Sequence, residues 1–127
     1  MAKATNLNTT LRVKATTPYS ATLPDVAWSP TITMLAKSAN YTATLADCGS
    51  DCQIAVDASG GARTIVLYAA SGNAGRQIKI KKTDSSTNDC IIDANASELI
   101  DGSATQTISA QYTSLSLACD GTGWLIF

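Results

Sequence analysis

An all-β fold is what this 127-residue sequence predicts, and three observations predict it. The chain is rich in Thr, Ser, Ala, Ile, Val and Leu and carries a single glutamate, Glu98, so strand formers outweigh a good helix former. Short runs of strand type recur at about the 8–12-residue spacing of small β folds. In the clearest runs apolar and polar residues alternate with period two, the mark of strands with one face buried and one wet. The expected architecture is a compact antiparallel β-sandwich or barrel-like body over residues 41–127, with an extended N-terminal arm over residues 1–40.

The arm follows from a shift in composition. Residues 1–40 hold all three prolines (Pro18, Pro24, Pro30) and no glycine or cysteine; residues 41–127 hold all eight glycines and all four cysteines. Charge shifts too, from +3 before residue 41 to −4 after it. Proline cannot donate to a sheet ladder and holds the residue before it extended. "TTPYSATLPDVAWSPTITML" therefore predicts an extended segment. Its Tyr19, Leu23, Val26, Trp28, Ile32, Met34 and Leu35 are too much apolar surface to leave in water, so they are the expected partner-binding residues. The surface they lie on is the body, a sister subunit or another protein.

In the body the expected strands are "YTATL", "CQIAVDA", "RTIVLYA", "RQIKIKKT", "DCIIDA", "ATQTISA", "SLSLAC" and "WLIF". Turn residues break them at "SGG" (59–61), "SGNAG" (71–75), "DSSTND" (84–89), "DG" (101–102) and "DGTG" (120–123). In "RQIKIKK", Ile78 and Ile80 share one face while Gln77, Lys79 and Lys81 share the other. In "TSLSLAC", Leu115, Leu117 and Cys119 face one way. No window of a dozen residues sustains helical periodicity; "MLAKSANYTATLADC" comes nearest. Short sheets must manage their edges, and closed symmetric oligomers are a common solution.

The chemistry-bearing residues are few. No histidine is present, which removes the commonest general base and metal ligand and every Ser-His or Cys-His nucleophile pair. No phosphate-cradling glycine motif occurs. Cys48 and Cys52 are spaced C-x3-C, unlike the C-x2-C of common zinc knuckles, and Cys90 and Cys119 lie far apart. A Cys48–Cys52 bridge is geometrically possible. The reading preferred on the sequence is four buried thiols acting as small apolar residues. Lys79, Lys81 and Lys82 of "KIKK" read as a solvated strand face or as charges guarding an edge. No catalytic residue, metal or cofactor is expected, nor a nucleic-acid or membrane partner. Net charge is −1, no apolar run is long enough to span a bilayer, and the N-terminus has no secretory pattern, which predicts folding in a cytoplasm.

"IIDANASELIDG" (91–102) invites a metal or acid-pair interpretation. A calcium loop starting at Asp93 needs glycine at its sixth place and glutamate at its twelfth; those places hold Glu98 and Ala104. The stretch therefore reads as a strand end and two tight turns, with Asp and Asn tolerating left-handed backbone.

Taken in order, "ASGNAGR", an alternating lysine strand, "IIDAN…ELIDG", "SAQYTSLSL" and a terminal "DGTGWLIF" resemble a C-terminal module of bacteriophage virion proteins, such as tail fibres and head fibres or decorations. The resemblance covers about residues 41–127. Gly123 and Leu125 depart from it, standing where such proteins often carry a small polar residue and a polar aromatic. The resemblance implies a non-enzymatic, mostly β, usually trimeric building block of a phage particle, with "DAN…IDG" a structural turn pair. A chain starting at Met1 and ending in a strand after 127 residues suits a capsid decoration or cement protein. The expected assembly is a homotrimeric knob on the outer surface of the capsid, contacting sister subunits and the major capsid protein. The alternative is a tail-fibre or receptor-binding tip that recognises a host-surface glycan through Tyr68, Tyr112 and Trp124. A free-standing enzyme or sugar-binding domain is a third class.

Overall fold

Side-chain parity along "QIKIKK" becomes burial parity in three dimensions. Ile78, Ile80 and Lys82 are buried and Gln77, Lys79 and Lys81 exposed, alternating residue by residue. The computed structural model of the protein describes residues 31–127. Its nine strands form two sheets. The first, in spatial order, comprises β1 (Thr33–Lys37), β3 (Asp51–Val56), β5 (Gln77–Lys82), β8 (Ser114–Cys119) and β9 (Trp124–Ile126). The second comprises β2 (Tyr41–Thr42), β4 (Arg63–Val66), β6 (Cys90–Asp93) and β7 (Thr105–Ile108). The one helix among the described residues is α1 (Leu45–Cys48), a single turn whose N-cap Thr44 accepts from the amide of Asp47. The all-β class is as expected, and each predicted strand run overlaps one of the strands β2 to β9.

The antiparallel expectation is corrected. β1, β3 and β5 pair parallel, as do β2, β4 and β6; only the pairings β5–β8, β6–β7 and β8–β9 are antiparallel. The reason lies in the route of the chain. Each of the first five connections carries it into the opposite sheet, so the next strand of any one sheet begins a full circuit later and runs the same way. Three circuits stack in this manner, and the antiparallel strands β7, β8 and β9 finish the stack.

Stacking puts like residues over like. Inward rows of the first sheet read Leu35–Ile54–Ile80–Leu115 and Thr33–Cys52–Ile78–Leu117–Ile126. In the second sheet Ile65 stacks on Ile92, and Cys90 on Ile108. Both sets join one core with Trp124, Leu67 and Tyr68. Five residues expected in the arm, Thr33–Lys37, form a strand. Thr33–Lys37 pairs with β3, and the unit containing the sheets begins at Ile32. The prolines end at Pro30, after which "ITMLAK" is free to alternate: Met34 and Ala36 exposed, Thr33, Leu35 and Lys37 half-buried.

Cys48 and Cys52 form a disulfide, with Cα atoms 4.9 Å apart, so the buried-thiol expectation fails for this pair. α1 and Gly49, at φ 64°, fold the chain back so that both sulfurs point into the core. Cys90 and Cys119 are free and buried, as expected; burial pushes the Cys90 thiol up to about 11, which keeps it protonated and unreactive. A five-residue loop is short, so its closure restrains the unfolded chain modestly. Cys48→Ser/Cys52→Ser is expected to cost about 2 kcal/mol, read as a lower denaturant midpoint that reductant does not lower further.

The "KIKK" expectation also needs amending. Lys79 and Lys81 are solvated, but Lys82 shares the parity of Ile78 and Ile80 and is wholly buried. Its ammonium donates to the Asp84 carboxylate and to the carbonyls of Asp84 and Ser86, each at 2.9 Å. Asp84 in turn accepts from the amides of Ala58 and Ser86 and from the Ser86 hydroxyl. Asn88 donates to the Ala58 carbonyl at 2.8 Å. What reads as a polar loop, "DSSTND", is therefore a knot that ties the third circuit to the turn after β3.

Candidate functional site: the outer face of the five-stranded sheet

The first sheet turns one face to the core and one to solvent. Across the outward face the register aligns Met34–Gln53–Lys79–Ser116, then Ala36–Ala55–Lys81–Ser114, then Asp51–Gln77–Ala118–Leu125. Ala36, Ala55, Ser114, Ser116 and Ala118 keep much of the face low, and Lys79 and Lys81 stand on its middle strand. Large apolar groups stand at its margins. Met34 is 65% exposed and Ile32 48% at the β1 side; Phe127 is 83% and Leu125 39% at the β9 side. Tyr112 borders the far end, its ring 5.6 Å from the Lys81 ammonium. These five are most of the exposed large apolar residues among those described; only Leu45 and Leu99 lie elsewhere.

Three shallow depressions cross this face. One of about 290 Å³ lies between Phe127, Gln77 and Ser116. A second, about 240 Å³, lies between Met34, Ala55, Lys81 and Ser114. The smallest, about 60 Å³, joins Ile32, Asp51 and Gln53 to Lys79. None is deep enough to enclose a drug-sized ligand, whose pockets run to ~300–1,000 Å³ and cover most of it. The shape suits a broad contact.

The chain covers the backbone edge of the sheet at β9. β9 is closed: Trp124 donates to the Leu99 carbonyl and accepts from the Asp101 amide, and the Ile126 amide donates to the Asp101 carboxylate. Gly123 permits this closure, since a Cβ there would lie 2.8 Å from the Leu99 carbonyl oxygen. This is where "DAN…IDG" meets "DGTGW". Asp101 and Gly102 both have positive φ, the pattern of a type I′ turn closed between Ile100 and Ser103. Glu98 accepts from the Ala70 amide at 2.9 Å. Glu98 and Asp101 thus hold backbone amides of distant segments, and Asp101 takes the left-handed backbone that the turn interpretation expects. Among the described residues no group of three or more His, Cys, Asp or Glu converges as a ligand set.

Of the expected partner-binding residues, Ile32 and Met34 are exposed on this face, while Leu35 points inward and packs on the core. Tyr19, Leu23, Val26 and Trp28 lie outside the described residues. The aromatic set proposed for glycan binding is corrected: Tyr68 and Trp124 are buried and pack edge to face, centroids 5.2 Å apart, which leaves only Tyr112 exposed. Sequence patterning missed Leu125 and Phe127 as surface groups. Their signal is the alternation of "WLIF" itself, in which Trp124 and Ile126 point inward. The chain matches no protein-family model and no curated protein.

Proposed function

We propose that this protein is a structural component of a bacteriophage virion, a capsid decoration or cement protein that assembles as a homotrimer and adds contacts across the shell. The observation that carries this proposal is the shallow, apolar-rimmed outer face of the five-stranded sheet, a surface suited to another protein rather than to a small substrate. The resemblance of the body to phage virion modules points the same way. A disulfide, a buried ion-pair knot and closely stacked circuits make a rigid body suited to a mechanical role.

Size sets a condition on the contact. Strands spaced about 4.8 Å and rising about 3.3 Å per residue make the face roughly 20 by 20 Å, or about 400 Å² in projection. A standard interface takes about 800 Å² from each partner. The face therefore needs a further contact surface, and residues 1–30, with Tyr19, Leu23, Val26 and Trp28, are proposed to supply it. The two contributions are separable. Protein cut to residues 31–127 is expected to keep its native circular dichroism and lose at least tenfold in co-sedimentation with undecorated capsids. The intact protein should show three chain masses by light scattering. Retained particle binding by the truncated protein would assign the contact to the sheet face alone, and a monomeric mass would overturn the trimer.

A further inference from the structure

We propose that the outer face of the five-stranded sheet recognises a protein surface that presents carboxylates between apolar side chains; this rests on the virion reading for where such a partner is met, and on the face itself for the chemistry. The described residues carry six basic and nine acidic side chains. Four of the six bases are occupied or covered. Lys37 sits over the Tyr41 ring at 3.8 Å, and Arg63 is half-buried. Arg76 donates to Asn73 and to the Gly49 carbonyl, and Lys82 is the buried partner of Asp84. The remaining two, Lys79 and Lys81, are the exposed bases, and both stand on β5, the middle strand of this face.

The acids do not neutralise them. Asp47 accepts from the Tyr41 hydroxyl, Asp57 from the Ser59 amide, Asp89 from the Ser109 hydroxyl, and Asp120 from the amides of its own turn. Glu98 and Asp101 hold amides, and Lys82–Asp84 is the one ion pair among the described residues. Asp93 stands at the end of β6 in the other sheet, and Asp51 alone borders the face, in the same depression as Lys79. An acidic body thus gathers its solvated positive charge onto one patch, with Met34 on one flank and Phe127 on the other. Two lysines one strand repeat apart, about 6.6 Å, match acids at alternate positions of an extended segment. Apolar groups around a pair of charges exclude water from the contact, as interface centres do.

Charge also decides between occupants. A second copy laid face to face would bring two pairs of lysines across the roughly 10 Å sheet spacing, an unfavourable meeting of like charges. Nucleic acid would gain two phosphate contacts at most and meet a net-negative body, so binding would be weak, with a salt slope of only about −1.8.

The test uses the full 127-residue chain, labelled with nitrogen-15. The probes are an alternating Glu–Leu peptide flanked by serines and its Lys–Leu counterpart. The Glu–Leu peptide is expected to shift amides of β5, β8 and Met34, and the Lys–Leu peptide to shift none of them. Lys79→Glu/Lys81→Glu should weaken the Glu–Leu peptide at least tenfold, and Met34→Ala/Phe127→Ala several-fold. Melting should stay unchanged in both variants, because these side chains are exposed and away from the core. Shifts elsewhere, or an equal response to both peptides, would overturn the proposal. So would tighter binding of a duplex oligonucleotide than of the Glu–Leu peptide. A fall in mass on charge reversal would give the face to a second copy and overturn it likewise. Peptide recognition without capsid co-sedimentation would sink the virion reading and leave the recognition chemistry standing.

Discussion

Replacing Asp84 alone by alanine is expected to damage the fold more than replacing Asp84 and Lys82 together. The order of denaturant midpoints should be wild type, Lys82→Met, Lys82→Met/Asp84→Ala, then Asp84→Ala. The physical reason is the asymmetry of a buried pair. Lys82 is wholly buried, and its ammonium has three partners, of which Asp84 supplies the only opposite charge. Without Asp84 that charge stays in the core uncompensated, and the Ala58 and Ser86 amides lose their acceptor. With methionine at position 82 the stem still fills its place in the row beside Val56, and the loss is the donor to two loop carbonyls and to the Asp84 carboxylate, which keeps the Ala58 and Ser86 amides. That variant is expected to cost about 2 kcal/mol. A single alanine at 84 that is milder than the double substitution would show that Lys82 reaches water.

The same pair sets a pH dependence. The Ser86 hydroxyl, then Lys82 and the amides of Ala58 and Ser86, hold the Asp84 carboxyl well below the usual carboxylate range, against the opposing effect of burial. Its folded pKa is below its unfolded value of about 4. The stability it contributes is therefore complete above that value and lost as pH falls through the folded pKa. Urea midpoints should drop between pH 5 and pH 2. The drop should shrink in the double substitution without vanishing, because Asp57 and Asp120 are also held low by hydrogen bonds in their own turns.

Much of this was legible in the residues. Strand after strand is placed by alternation and turn chemistry, and Lys82 could have been placed by parity, since it stands two residues beyond Ile80. Its charge groups it with Lys79 and Lys81 instead, because charge argues for solvent until its partners are known, and Asp84 and Ser86 lie in what reads as a loop. Strand order was not legible. Connections short enough for hairpins lead here to the opposite sheet, and nothing in "VDASGGAR" says which sheet follows. The candidate face was illegible for the same reason: Met34, Lys79 and Phe127 share a surface only because β1, β5 and β9 share a sheet. β1 itself is hidden by the prolines before it, which make Thr33–Lys37 read as part of the extended segment.

Trp124→Ala is the other substitution with a large expected effect, about 3–5 kcal/mol by the cost of emptying a buried aromatic site. Stabilities of about 5–15 kcal/mol are usual, so this could consume much of the margin. Trp124 is 1% exposed, stands edge to face with Tyr68, and through its backbone fastens Leu99 and Asp101 to β9. The polar atoms of this aromatic pair contribute differently from its rings. Neither the Trp124 indole nitrogen nor the Tyr68 hydroxyl has a hydrogen-bond partner within the protein, although both are buried. Removing an unpaired buried donor relieves a desolvation cost instead of breaking a bond. Tyr68→Phe is therefore expected to leave the urea midpoint unchanged or raise it. Trp124→Phe should cost well under half of what Trp124→Ala does, because it keeps an aromatic edge against Tyr68 and gives up only volume. A large loss in Tyr68→Phe would mean that a bound water pairs these two groups inside the core, and the junction of "IDG" with "DGTGW" would then be held by polar as well as apolar contacts.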